Sequence, residues 1–253
     1  SPNAADTWMI FQALAGVWPA TLSPEDRDGL KSLEERFLGF IEKALREAKQ
    51  RTDWIDSNEG YESVVLDYVR HLLSPDNTLF LRDFSAALQP FIRAGLMNSL
   101  SQTVIKLTAP GVPDIYQGSE GLNFSLVDPD NRREPDFAAL AENLSVADGT
   151  VFNDAQRWRD GSVKQYVTAT LLRLRPHYPA LFRYGDWLPL KVTGEREENL
   201  IVYARIKDDE ALIVAVPRLV FDVTDNALLW ANTTVAIPQE LAGKHYRDLF
   251  TGE

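Results

Sequence analysis

The residues best equipped for chemistry crowd into one stretch: Asp114, Gln117, Glu120, Asp128, Asp130, Asn131, Arg132 and Arg133. Carboxylates accept, guanidinium forks donate in pairs and amides do both, so this set suits a ligand covered in hydroxyls. Tyr116 adds a flat face of the kind that packs on a pyranose ring. A sugar is the ligand class to which these side chains point. The same residues also read as plain connection: Asp128-Pro129-Asp130-Asn131 is good turn chemistry, and Arg132 or Arg133 can simply pair with a neighbouring carboxylate. Asp114 reads as a structural carboxylate, and Glu120 as structural or loop-ordering.

Such residues need elements to position them. Two prolines and a glycine in Thr108-Ala109-Pro110-Gly111-Val112-Pro113 end a helix, and Val112 to Tyr116 reads as a short buried strand. Asp114 and Tyr116 then share one face and Ile115 takes the other. A long polar loop, Gln117 to about Arg133, follows. Helix, strand and Gly-containing loop in that order are what the last βα unit of a parallel barrel needs, where the loop after the strand faces the active site.

Upstream the chain reads as helices. Leu30, Leu33, Phe37, Leu38, Ile41, Ala44 and Leu45 form one stripe, entered through Ser23-Pro24-Glu25-Asp26, where Ser23 reads as a cap followed by Pro and first-turn acids. Tyr61, Val64, Val65, Tyr68, Val69 and Leu72 form another, ended by Ser74-Pro75. Thr78 to Leu107 is helical with a break expected at Pro90. Downstream, Val163 to Leu174 gives an amphipathic helix stopping before Pro176. Leu188 to Val192, Leu200 to Ile206, Ala211 to Val216, Thr233 to Ile237 and His245 to Phe250 read as short strands of a small antiparallel sheet or sandwich.

With 253 residues, 45% of them hydrophobic, the chain can bury a core of ordinary size. A net charge of -11 disfavours a phosphate backbone as partner, because such binding rests on clustered Lys and Arg. The absence of cysteine removes disulfides, a thiolate nucleophile and Cys-ligated metals. His71, His177 and His245 lack ligand spacing, so no metal site is expected. No apolar run approaches the ~18 residues that span a bilayer, and Ser1-Pro2-Asn3 opens without a signal-like segment. The six tryptophans read more readily as core or interface fillers than as sugar platforms; Trp54, beside Thr52 and Asp53, is the one to test for substrate contact.

The stretch Pro110-Gly111-Val112-Pro113-Asp114-Ile115-Tyr116-Gln117-Gly118-Ser119-Glu120, followed by Leu126-Val127-Asp128-Pro129-Asp130-Asn131-Arg132-Arg133, closely resembles the last barrel strand and loop of the maltooligosyl trehalose synthase family, in the α-amylase superfamily. Gly16-Val17-Trp18-Pro19, Thr52-Asp53-Trp54 with Glu59-Gly60-Tyr61-Glu62, Asn98 to Thr103 and Arg175 to Phe182 agree with that family too. The chain departs from its pattern at Gly121-Leu122-Asn123 and at Glu134-Pro135.

The resemblance implies an α+β fold: a helical insertion and the last βα unit of a (β/α)8 barrel, then a small C-terminal antiparallel β domain. The segments are 1–107, 108–180 and 181–253. It implies the C-terminal part of a cytoplasmic enzyme that converts the reducing-end α-1,4 link of a maltooligosaccharide to an α,α-1,1 link, with no cofactor. Its partners are the glucan and the rest of the parent polypeptide, with neither nucleic acid nor membrane. The catalytic carboxylates are expected upstream, and none is assigned here. Substrate binding falls to Asp130, Asn131, Arg132 and Arg133, with Gln117, Tyr116, Glu120 and Asp128. An α-glucan hydrolase of the same superfamily and a non-catalytic carbohydrate-binding module are the alternatives.

Overall fold

In the computed structural model, which describes residues 1–146, 148–222 and 230–252, the first three helices each start at a polar cap. Asn3 accepts from the Ala5 and Asp6 amides to open α1 (Ala4–Val17), and Asp26 accepts from Gly29 to open α2 (Arg27–Ala48). The α2 cap is thus Asp26, not Ser23, whose hydroxyl is taken by Glu25. Asn58 opens α3 (Glu59–Leu73), which ends at Ser74 as the sequence suggests. The fourth helix, α4 (Thr78–Thr108), runs unbroken through Pro90. The expected break there is wrong: a proline forfeits one helical hydrogen bond, and packed Leu81 and Leu88 before it and Ala94 and Leu107 after it keep both sides helical.

The contacts divide the chain into two compact units, residues 1–89 with 123–135 and residues 90–122 with 136–253. In the first, α2 buries Leu30, Leu33, Phe37, Ile41 and Leu45 against its neighbours, each contributing roughly 1.5–3 kcal/mol of burial. From α3 come Val65, Val69, Leu72 and Leu73, while Val64 is exposed. Fully buried Trp18 meets Phe84 edge to face at 5.5 Å.

In the second unit α5 (Phe137–Val146) and α6 (Ala155–Arg159) precede α7 (Ser162–His177) and α8 (Pro179–Tyr184). The α7 helix passes Pro176 instead of stopping before it. Val167 and Leu171 of α7 pack on Leu107, with Ile115, Phe152 and Phe250 around them.

Strands β1 (Asp186–Pro189), β3 (Leu200–Lys207) and β4 (Glu210–Pro217) form an antiparallel sheet in the order β1-β3-β4, so β4 is an edge; β2 (Val192–Thr193) pairs with β5 (Thr234–Val235). The single strand expected from Leu188 to Val192 is therefore two, split where the chain leaves one sheet for the other. Alternation sets the faces: Val202, Ala204 and Ile213 join Leu190 and Leu241, whereas Tyr203, Val214 and Val216 face Val104 and Ile105 of α4.

Two strand expectations fail. Val112 to Tyr116 has no regular structure, and Val112 is 98% exposed, because a barrel strand needs paired neighbours that the described residues do not supply. His245 to Phe250 forms no strand: His245 to Asp248 has no regular structure, and the chain turns from Leu249, where Asp248 accepts from the amides of Phe250 and Thr251. Every observed strand pairing is antiparallel. Among the described residues no helix is long and apolar enough to cross a membrane.

Candidate functional site

Five of the residues singled out lie in the loop 123–135 of the first unit. Asp130 begins a single 3-10 turn, Asp130–Arg132, and its side chain is 2% exposed. Arg36 of α2 grips it with both prongs, Nε to Oδ1 and Nη2 to Oδ2, each at 2.9 Å. The same Nη2 donates to the Phe124 carbonyl at 2.7 Å, and the Leu126 amide donates to Oδ2 at 2.7 Å. Burial alone would raise the Asp130 pKa, but the hydrogen bonds from Arg36 and Leu126 and the charges of Arg36 and Arg133 outweigh it and hold it below the ordinary range.

Asp128, joined to Pro129 by a cis peptide bond, takes Lys43 of α2 at 2.8 Å and pairs with Arg132. The Lys43 hydrogen bond, with the charge of Arg132, lowers its pKa against the opposing effect of burial. Arg36 and Lys43 stand two helical turns apart on α2, so one helix ties down both carboxylates of the loop. Sequence reasoning missed them, though two cations at that spacing were the available signal.

With the carboxylates committed inward, the loop shows donors outward. Arg132 is 77% exposed, and Asn131 is exposed. Arg133 is half exposed, its Nε on the Asp130 carbonyl at 3.1 Å and its Nη2 on the Ser125 hydroxyl at 3.0 Å. Guanidinium forks and an amide in this setting can take several hydroxyls of a neutral ligand.

The other four, Asp114, Tyr116, Gln117 and Glu120, lie in the second unit. Tyr116 is 70% exposed, Gln117 is exposed, and the Ser119 amide returns to the Tyr116 carbonyl at 2.9 Å, making a tight turn with Gly118 at positive φ. Asp114 is exposed, Ile115 half-buried and Tyr116 exposed, the alternation read from the sequence without the strand that would fix it. Glu120 keeps Oε2 buried without a hydrogen-bond partner. Lys164 of α7 donates to the Gly121 carbonyl at 2.8 Å; burial and nearby Lys106 depress its pKa, and Glu120 opposes them.

Arginines missed by the sequence reading fix the start of that segment. Arg175 donates to the carbonyls of Leu107 at 2.7 Å and Gly111 at 3.5 Å. Arg205, 1% exposed on β3, donates to the carbonyls of Thr108, Leu181, Phe182 and Gly185 at 3.0 to 3.3 Å. Both cations thereby cap the C-terminal end of α4, where the helix dipole favours positive charge. Among the described residues no group of three or more His, Cys, Asp or Glu could hold a metal ion.

No family model matches the chain. Two curated proteins named putative maltooligosyl trehalose synthase, from Mycobacterium tuberculosis strains CDC 1551 and H37Rv, are 29% identical to it over 238 residues, 94% of this chain and 28% of theirs. The solved maltooligosyltrehalose synthase from Arthrobacter ramosus is 32% identical with a TM-score of 0.75 over 97% of this chain and 29% of that one. A further crystal structure of a maltooligosyl trehalose synthase is 27% identical, with a TM-score of 0.72 over 86% of this chain and 28% of that one. The chain thus spans just over a quarter of these relatives, and the resemblance read from its motifs is matched both in sequence and in solved structure.

Proposed function

We propose that the chain is the C-terminal part of an enzyme that rearranges the reducing-end α-1,4 link of a maltooligosaccharide into an α,α-1,1 link by intramolecular transglucosylation, in the cytoplasm. The observation that carries this reading is the Asp128 to Arg133 turn: its carboxylates are tied to α2, and Asn131, Arg132 and Arg133 stay exposed, each guanidinium held by a neighbour while its remaining N–H groups can face a sugar. Asn131, Arg132 and Arg133 hold hydroxyls of the released glucose, and Asp128 and Asp130 aim them. Tyr116, Gln117 and Glu120 are assigned to substrate binding on their own segment.

A retaining glycoside transfer needs a carboxylate nucleophile and a carboxylic acid about 5–5.5 Å apart, the acid with a raised pKa. Asp128 and Asp130 have lowered pKa values and spend their charge on cations, so neither suits the acid's part. The cleaving groups belong to the rest of the parent polypeptide, and this chain by itself is inactive. Val112 to Tyr116, with Ile115 turned inward, becomes the closing barrel strand once neighbouring strands pair with it. The division at 107/108 and 180/181 belongs to this reading: helical insertion, strand with substrate loop and helix, and terminal β domain.

The enzyme must retain glucose and exclude water between cleavage and re-attachment, or hydrolysis results. The test is therefore a product ratio. In a complete enzyme containing this segment, Arg132→Ala and Arg133→Ala are expected to shift product from the trehalose-type link towards free glucose. An unchanged rate and partition would remove the role, and a wild type yielding only hydrolysis products would make the enzyme a glucan hydrolase.

A further inference from the structure

Outside that loop, one exposed aromatic ring is held as if for use. Trp54 is 55% exposed, yet it is fixed at two points. The Arg46 guanidinium lies over its ring at 4.9 Å from the centroid, and its indole N–H donates to Glu47 at 3.2 Å. Arg46 is itself locked by Glu62, 5% exposed, through paired hydrogen bonds of 2.9 and 2.8 Å.

The loop bearing the ring is equally constrained. Thr52 donates its hydroxyl to Glu62 and accepts from the Asn58 amide at 2.9 Å, closing the loop at its base. Asp53 accepts from the amides of Ile55 and Asp56 at 2.6 and 2.7 Å, closing it at the tip. Buried Glu62 thus carries a stacked guanidinium, which covers one face of an indole that is still 55% exposed. Trp8 and Trp187 are also exposed, but Trp8 has no ring or hydrogen-bond contact among the described residues, and Trp187 leans on Tyr203.

We infer that the open face of Trp54 is a stacking platform for a glucose ring of an α-1,4-glucan, a second contact apart from the Asp128 to Arg133 turn. Pyranose C–H faces pack on an indole, and a ring already immobilised loses little entropy on binding. Asp53, next in the chain, spends Oδ1 on the loop amides and keeps Oδ2 for a sugar hydroxyl, while Glu47 on the indole N–H and Glu42 on Arg46 offset the guanidinium charge under the ring. Exposed Ile55 widens the apolar surface beside the ring. The inference rests on the α-glucan reading above and adds to it a place where the chain beyond the reducing end is held.

The test uses the 253-residue chain itself, labelled with nitrogen-15 and titrated with maltoheptaose. Its six tryptophans give six indole N–H resonances, with Trp54 assigned by Trp54→Phe. A saturable shift largest at Trp54 is expected. By calorimetry, Trp54→Ala should weaken maltoheptaose binding about tenfold, while Trp54→Phe and Trp8→Ala stay near the wild type. An unmoved Trp54 resonance while Asn131 to Arg133 shift would overturn the platform and leave the proposed function standing. So would equal binding by Trp54→Ala, or no saturable binding at all. A Trp54 resonance that moves on dilution without sugar would instead make this ring a protein contact, and the inference would fail.

Discussion

Arg36 and Asp130, far apart in sequence, meet through two parallel hydrogen bonds of 2.9 Å, and this pair fastens the polar loop to α2. Removing one partner of a buried pair strands the other charge. Arg36→Met should therefore cost about 3 kcal/mol of stability, read from urea unfolding. Arg36→Met with Asp130→Leu should recover part of that loss, because no buried carboxylate is left without Arg36 and the partner that Arg133 loses is replaced by solvent, Arg133 being half exposed.

Acid should act through the same carboxylates. Asp130 and Glu62 both have pKa values below the ordinary range, Glu62 chiefly through the Arg46 hydrogen bonds against the opposing effect of burial. Groups lowered on folding contribute stability that is fully present above their unfolded pKa, near 4, and is lost as pH falls through the lower folded value. Melting temperatures measured from neutrality downwards should be flat to about pH 5 and then fall, and Asp130→Asn should fall less steeply.

Arg205 sits where a strand residue would normally be apolar. Its substitution by Met would leave the Thr108, Leu181, Phe182 and Gly185 carbonyls without that donor, at a cost of about 3 kcal/mol. Tyr203→Phe, which loses only the 2.6 Å hydroxyl contact with Thr108, should cost about 1 kcal/mol. Denaturant titrations of the two variants give the comparison.

Gly161 has φ +88°, and a Cβ there would meet the Leu122 amide nitrogen at 2.9 Å. Gly161→Ala should destabilise by more than about 1 kcal/mol. Amide exchange at Gly121 and Leu122 should quicken with it, since those residues must give way.

The helices were legible because their apolar stripes repeat at helical spacing, and Leu33, Phe37 and Ile41 lie on the buried face where the period puts them. Pro90 and Pro176 misled because propensity is local and packing is not. Val112 to Tyr116 carries a strand's alternation but not its partners, which a sequence pattern cannot supply. The polar loop was legible as a cluster. Its division of labour was not: whether Asp130 faces a ligand or Arg36 depends on a contact between residues remote along the chain. Buried Arg205 lay hidden for the same reason, since a cation inside a strand pattern reads as a surface residue.

Ala211 to Val216 on the edge strand β4 is apolar at every position and bears no Lys or bulge to deter a neighbour. In concentrated solution such a flank recruits its like, so a Lys in place of exposed Ala215 should keep the chain dispersed where the unaltered protein gradually clumps.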